Sequence, residues 1–256
     1  MGRAAFLTER PIAHRGFHDV AAGRIENTLS AAAAAVARDF AIECDLQLTR
    51  DGEAIVFHDD TLDRLTDATG PVHARTLAEV RAAAIAGTAD RIPTLAELLD
   101  LVAGRVPLVI ELKRQAGAEP HLERRTTALL ADYPGPVAVM SFDPASVRAM
   151  RSLAPALPRG LVADRFDDPG EGELSWTRRM ALRHLLHAWD VRPDFIAYGI
   201  KALPANAPLL LRHLGLPLLT WTVRTPEERA RAARYADQII FEGFDPATDT
   251  VPAESG

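Results

Sequence analysis

Short runs rich in Val, Ile and Leu recur along this chain, and between most of them lies an Ala- and Leu-rich stretch of helical character. Strand, helix, strand is the pattern of βα units, and a chain of such units builds a parallel sheet clad by its own helices. Eight runs qualify, at residues 12–14, 41–45, 107–113, 137–142, 159–163, 194–200, 217–223 and 238–242. Eight such units in 256 residues predict an α/β fold, a TIM (β/α)8-like barrel forming one domain over residues 1–256. Several helix starts are legible. The spacing predicts a helix over 28–38 with Asn27 as its N-cap, capping boxes at Thr94 with Glu97 and Thr225 with Glu228, and Pro144 and Pro226 at first helical positions.

One interval breaks the pattern. Residues 47–49 and 54–58 flank Arg50-Asp51-Gly52-Glu53, and no helix fits between Asp45 and Ala54. A parallel crossover needs about a dozen residues, and Asp-Gly is a strong tight-turn signal, so this segment must be a hairpin. Folding back at that turn brings His58 toward Glu43 and Asp45. An insertion at about 59–92 follows, with loops and short helices above the barrel mouth at 61–91. Residues 164–173 read as a solvated acidic loop, and 248–256 as a frayed end.

Hydrophobic residues make up 48% of the chain and charged residues 25%, enough for a full core. A net charge of -6 argues against a nucleic-acid partner, which requires a basic surface to displace counterions. A phosphate ester can still bind, provided a local cation is present. The single cysteine, Cys44, excludes an intrachain disulfide and a thiolate-rich metal site, and points to a reducing compartment. Residues 1–10 are too polar for a signal peptide, and no window nears the roughly 20 apolar residues of a membrane span. A cytoplasmic protein without stable membrane insertion is the expectation; homo-oligomerisation is left open.

Functional side chains of such barrels sit at the C-terminal ends of strands. The first strand ends in His14-Arg15-Gly16, the second carries Glu43 and Asp45, and the next carries Glu111 and Lys113. Residues two apart on a strand share a face. A lone buried Glu could serve a structural ion pair, but three carboxylates facing one way repel each other unless a cation sits among them. Oxygen-only ligation suits Mg²⁺ or Ca²⁺. His14 and His58 would overlook that cluster as an acid–base pair, and Arg15 offers a planar cation for phosphate oxygens or a partner for a carboxylate. Cys44 must face the helices as an inert thiol. His184 and His187, one helical turn apart, read as a helix face, Ser141 lacks the setting of a nucleophile, and Lys201 stands alone near a strand end.

The order His14-Arg15-Gly16, Glu26-Asn27-Thr28, Glu43-Cys44-Asp45, Thr49-Arg50-Asp51-Gly52 and Val56-Phe57-His58-Asp59 closely resembles the glycerophosphodiester phosphodiesterase family. Ile110-Glu111-Leu112-Lys113, Ser141-Phe142 and Trp221-Thr222-Val223 extend the resemblance along residues 11 to 245. It implies a TIM-barrel enzyme that binds one Mg²⁺ or Ca²⁺ through Glu43, Asp45 and Glu111. His14 and His58 would be the acid–base pair and Arg15 the phosphate anchor. Lys113 would steady the phosphate or a metal-ligating carboxylate, and Phe142 and Trp221 would line the pocket for the alcohol. The implied reaction hydrolyses a glycerophosphodiester to glycerol phosphate and an alcohol, through attack of a neighbouring substrate hydroxyl and a cyclic phosphate. Cleavage of lysophospholipids in the manner of a phospholipase D or C is the alternative on the same site, and a catalytically silent binding barrel the third. Two positions depart from the family pattern: Arg224 stands where Asn is common, and Phe241-Glu242-Gly243-Phe244 replaces a Thr-Asp or Thr-Asn pair near a Pro. Both lie toward the substrate side and bear on which alcohol is accepted.

Overall fold

A computed structural model describes residues 2–113, 119–167 and 174–248. The acidic run at 168–173 and the tail at 249–256 lie outside the described residues. Nine strands follow one another as β1 (Ile12–Ala13), β2 (Ala41–Leu48), β3 (Ala54–Val56), β4 (Leu108–Leu112), β5 (Val137–Ser141), β6 (Arg159–Ala163), β7 (Phe195–Gly199), β8 (Leu218–Val223) and β9 (Gln238–Phe241). All but β3 are parallel neighbours in chain order, and β1 pairs with both β2 and β9. That double pairing closes the ring, so the expected TIM barrel is the fold observed.

The helices between the barrel strands are α1 (Leu29–Ala37), α2 (Leu77–Ala82), α3 (Leu95–Val102), α4 (His121–Leu130), α5 (Pro144–Leu153), α6 (Trp176–Arg183), α7 (Ala188–Val191), α8 (Asn206–His213) and α9 (Pro226–Tyr235). Their starts follow local chemistry. Thr94 with Glu97 and Thr225 with Glu228 form complete capping boxes, and Pro144 and Pro226 occupy first positions where a missing N–H costs nothing. Thr76 with Glu79 makes a third box that starts α2. Asn27 is not the cap of α1: the Thr28 side chain accepts the Ala31 N–H, leaving Asn27 for another purpose.

Strand alternation fixes which residues look inward. Ala41, Val109, Met140, Val162, Phe195, Leu219 and Ile240 pack inside the barrel, whereas Ile42, Cys44, Leu46, Leu108 and Ile110 pack under the helices. With period two, Glu43, Asp45 and Glu111 must then point inward as well. The Phe195 ring fills the barrel over Gly160, where an added Cβ would lie only 2.4 Å from it. The lower barrel is therefore packed solid, and the polar residues collect at its upper end.

The segment after β2 folds as a hairpin, with Leu46, Gln47 and Leu48 opposite Val56, Ile55 and Ala54. Residues 59–92 add a short 3₁₀ turn, Val72–Ala74, and α2. They close over an apolar cluster of their own that includes Ile25, Phe57, Leu62, Val72, Val80 and Ile85. Among the described residues, no helix is long and apolar enough to cross a membrane.

Candidate active site

The chain turns sharply where β1 ends. Arg15 and Gly16 both adopt left-handed backbone, with φ of 54° and 79°. A Cβ at Gly16 would approach the Ala31 carbonyl carbon to 2.9 Å, so only glycine lets the turn nest against α1. The turn carries two backbone donors to Glu43: Arg15 N–H to Oε2 at 2.9 Å and Gly16 N–H to the main-chain oxygen at 3.2 Å. Asn27, also left-handed with φ of 58°, donates its backbone N–H to the Arg15 carbonyl and its side-chain amide to Asp45 Oδ2 at 2.8 Å. A residue read as a helix cap thus orients a carboxylate.

The register of β2 and β4 sets Asp45 directly beside Glu111. Glu43, Asp45 and Glu111 are all buried, and one oxygen from each lies within 4.8 Å of the others. Burial alone would raise the pKa of Asp45, but Lys113, Arg15 and His58 outweigh it and hold this carboxyl at about 2. Lys113 Nζ lies 3.4 Å from Asp45 and 3.2 Å from Glu111, and Arg15 Nε lies 3.4 Å from Asp45. Glu43 is pushed the other way, well above its ordinary value, by burial first and then by the charges of Asp45 and Glu111. Burial also raises Glu111, despite Lys113. Two of three clustered carboxyls thus lack sufficient positive charge. A divalent cation at the shared oxygens would supply it, and three carboxylates are a donor set for a hard cation. These residues fit a metal ion.

The two imidazoles stand beside this cluster. His14 Nδ1 lies 2.7 Å from Glu242 Oε2, and its Nε2 lies 3.9 Å from Glu43 Oε2. Arg224 grips both oxygens of Glu242, Nε at 3.2 Å and Nη2 at 3.1 Å. His58 Nδ1 lies 2.8 Å from Asp59 Oδ1. Arg64 holds Asp59 through Nε at 2.6 Å and Nη2 at 2.9 Å, and reaches Glu26 at 2.7 Å; Arg15 Nη1 meets the same Glu26 at 2.6 Å. Burial lowers both imidazoles against the pull of their carboxylate partners. Glu242 and Asp59 both sit at about 2, because His14 with Arg224, and Arg64 with His58, override the effect of burial.

A cavity of about 850 Å³ opens over these groups and reaches Phe142, Asp164, Lys201 and Trp221 on the far wall. The Phe142 and Trp221 rings meet edge to face at 5.3 Å. Every residue singled out in the sequence for this chemistry lines that cavity: His14, Arg15, Glu43, Asp45, His58, Glu111, Lys113, Phe142 and Trp221. Ser141 donates to the Leu112 carbonyl at 2.7 Å and is spent on structure. Cys44 is buried under the helices, and burial raises its thiol well above the usual value. His184 and His187 do not share a helix face, since α6 stops at Arg183 and α7 starts at Ala188. Sequence reasoning missed the second rank of residues: Glu242, Asp59, Arg64 and Glu26. The Glu-Asn-Thr and His-Asp motifs carried a local signal for Glu26 and Asp59, and Glu242 stood out only within a segment that departs from the family pattern; nothing local marked Arg64. Chemically, Arg15 and Lys113 are cations that suit an anionic ester, and the two imidazoles in the same cavity are groups that exchange protons near neutral pH.

The sequence model of the glycerophosphoryl diester phosphodiesterase family matches residues 14–243. A glycerophosphodiester phosphodiesterase of Bacillus subtilis is 32% identical over 260 residues, covering 91% of this chain and 83% of that protein. One from Caldanaerobacter subterraneus is 31% identical over 223 residues, covering 81% and 83%. The fold matches that of an Oleispira antarctica phosphodiesterase solved with its product sn-glycerol-3-phosphate, with a TM-score of 0.75, 22% identity and coverage of 91% and 92%. Together the motifs, the barrel and these matches establish that the chain belongs to the glycerophosphoryl diester phosphodiesterase family, and with it to the phosphoric diester hydrolases.

Proposed function

We propose that the protein hydrolyses glycerophosphodiesters to glycerol phosphate and an alcohol, using one Mg²⁺ or Ca²⁺ held by Glu43, Asp45 and Glu111. The carrying observation is the buried trio of carboxylates within 4.8 Å of one another, two of them raised by burial and by the charge of Asp45, directly beside two histidines in one cavity. The bound ion would neutralise charge on the phosphoryl oxygens and polarise them for attack. Lys113 balances Asp45 and Glu111, and Arg15 presents its guanidinium at the same rim. One imidazole takes the proton from a glycerol hydroxyl as its oxygen bonds to phosphorus. The other gives a proton to the alcohol oxygen as its bond to phosphorus breaks. Water then opens the cyclic phosphate with the two imidazoles in exchanged roles, which returns both to their starting states. Phe142 and Trp221 form the wall against which the alcohol rests. Arg64 of the insertion reaches Glu26 and the partner of His58, which supports the reading of barrel and insertion as one domain.

The test is turnover by chelator-treated protein on a panel of glycerophosphodiesters and lysophospholipids, with Mg²⁺, Ca²⁺, Mn²⁺ or no metal. Metal-restored release of glycerol phosphate, lost in His14→Ala and Glu43→Ala, is the expected result. Cleavage confined to lysophospholipids would move the substrate to lipid, and silence on every diester with every metal would leave a binding barrel.

A further inference from the structure

Glu242 lies 228 positions from His14 in the chain, yet its Oε2 sits 2.7 Å from Nδ1. Both sides of that contact are fixed to the barrel wall. The His14 N–H donates to the Phe241 carbonyl at 2.9 Å, and the Glu242 N–H donates to the Val223 carbonyl at 3.0 Å. Arg224, the residue after β8, closes on both carboxylate oxygens in fork geometry. A carboxylate held in this way is ionised and can only accept, so the hydrogen it faces must be carried by Nδ1. The other ring nitrogen, Nε2, is then the one turned toward the Glu43 side of the cavity. Arg224, and the segment 241–244 that holds Glu242, are also the two places where the chain leaves the pattern of the family it resembles, and here Arg224 and Glu242 are partners of one another.

We propose that Glu242, clamped by Arg224, is a positioning residue that fixes His14 with its hydrogen on Nδ1 and aims a bare Nε2 at the phosphoryl site. Glu242 touches no substrate in this assignment; it acts through His14, as outer partners of functional imidazoles do. The inference rests on the reading of His14 as a proton-transferring group. It makes the two departures one device: Arg224 keeps Glu242 from turning into the cavity, and Glu242 keeps Arg224 from competing for the substrate's phosphate.

Two readouts on the full-length protein decide it. In ¹⁵N-histidine NMR of the chelator-treated chain, the His14 signal, assigned by its loss in His14→Ala, is expected to show the Nδ1–H tautomer. Glu242→Gln and Arg224→Gln should shift it toward a mixture. In kinetics with metal, Glu242→Gln should lower kcat ~10–100-fold, the range usual for outer partners, with KM within about twofold; Glu242→Asp should recover part of that loss. A wild-type His14 protonated at Nε2, or a Glu242→Gln variant with wild-type kcat, would overturn the proposal. So would an effect confined to KM, which would make Glu242 or Arg224 a substrate contact. Wild-type protein that turns over no diester would sink the functional reading alone, because the tautomer signal does not depend on turnover.

Discussion

His14 and His58 each set Nδ1 against a carboxylate that an arginine grips in turn, but the two assemblies are drawn from different parts of the chain. The His14 assembly comes from the ends of β1, β8 and β9, elements brought together only when the barrel closes. The His58 assembly is local: Asp59 is the next residue, Arg64 follows five further on, and both belong to the segment beyond the hairpin. The His14 side chain is 11% exposed and the His58 side chain 31%. One imidazole is thus fixed by the whole fold, the other by an insertion with its own small core. The same chemical device can be held by global closure or by a local subassembly, and the two should fail in different ways.

Removing either imidazole breaks the comparison most severely. His14→Ala and His58→Ala should each lower kcat by roughly 10²–10⁴-fold, the usual worth of a positioned acid or base. A glycerophosphodiester with a nitrophenol leaving group, which needs no protonation to depart, should restore most of the rate to one variant and not the other. Recovery in both, or in neither, would contradict a divided acid–base pair.

Next in size is the insertion core. Ile85 is buried in it, and Ile85→Ala should cost about 2–5 kcal/mol in local stability. Hydrogen exchange should quicken over residues 59–92 and kcat should fall with the His58 assembly, while the β1–β9 amides keep their protection. Uniform loosening of the barrel would show that the two regions are not separable. Asp59→Asn should cost less, about tenfold in kcat, because His58 remains tethered by the hairpin, whose end Gln47 holds through the Phe57 and Asp59 carbonyls.

Acid should weaken both assemblies together. Glu242 and Asp59 titrate at about 2 in the folded chain, below their ordinary values of 4.5 and 3.8. Groups whose pKa is depressed contribute stability that is complete above the unfolded value and lost as pH falls through the folded one. Unfolding free energy should therefore decline between about pH 4.5 and pH 2, and Glu242→Gln or Asp59→Asn should each flatten that decline; an unchanged slope would show that the pairs are not made in solution. The smallest effect is expected for Arg64→Ala. Arg64 is half exposed and its ion pairs should be worth about 1 kcal/mol or less, read by denaturant unfolding.

Much of this molecule was legible in its sequence. Strand alternation, cap residues and the Asp-Gly turn are local signals, and they gave the barrel, the helix starts and the hairpin that carries His58 inward. The period-two spacing of Glu43 with Asp45, and of Glu111 with Lys113, placed each pair on one face before any contact was known. What could not be read is what depends on closure. Nothing near Glu242 marks it as a partner of His14, because the contact exists only when β9 comes to lie against β1. Asn27 departs from its expected role for a different reason. Asn is both a good N-cap and tolerant of left-handed backbone, and the neighbouring Thr28 takes the cap while Asn27 turns to Asp45. The apolar cluster under residues 59–92 leaves no pattern in the sequence because its members are scattered among turns without periodicity.

The proposed function rests on a cation held among Glu43, Asp45 and Glu111, and calorimetric titration of Mg²⁺ or Ca²⁺ into the chelator-treated protein tests it most directly. The expected result is one ion bound per chain, with binding abolished in Glu43→Gln, Asp45→Asn and Glu111→Gln while each variant keeps its fold. Binding that survives all three substitutions, or no binding by the wild-type chain, would contradict a cation held among these carboxylates.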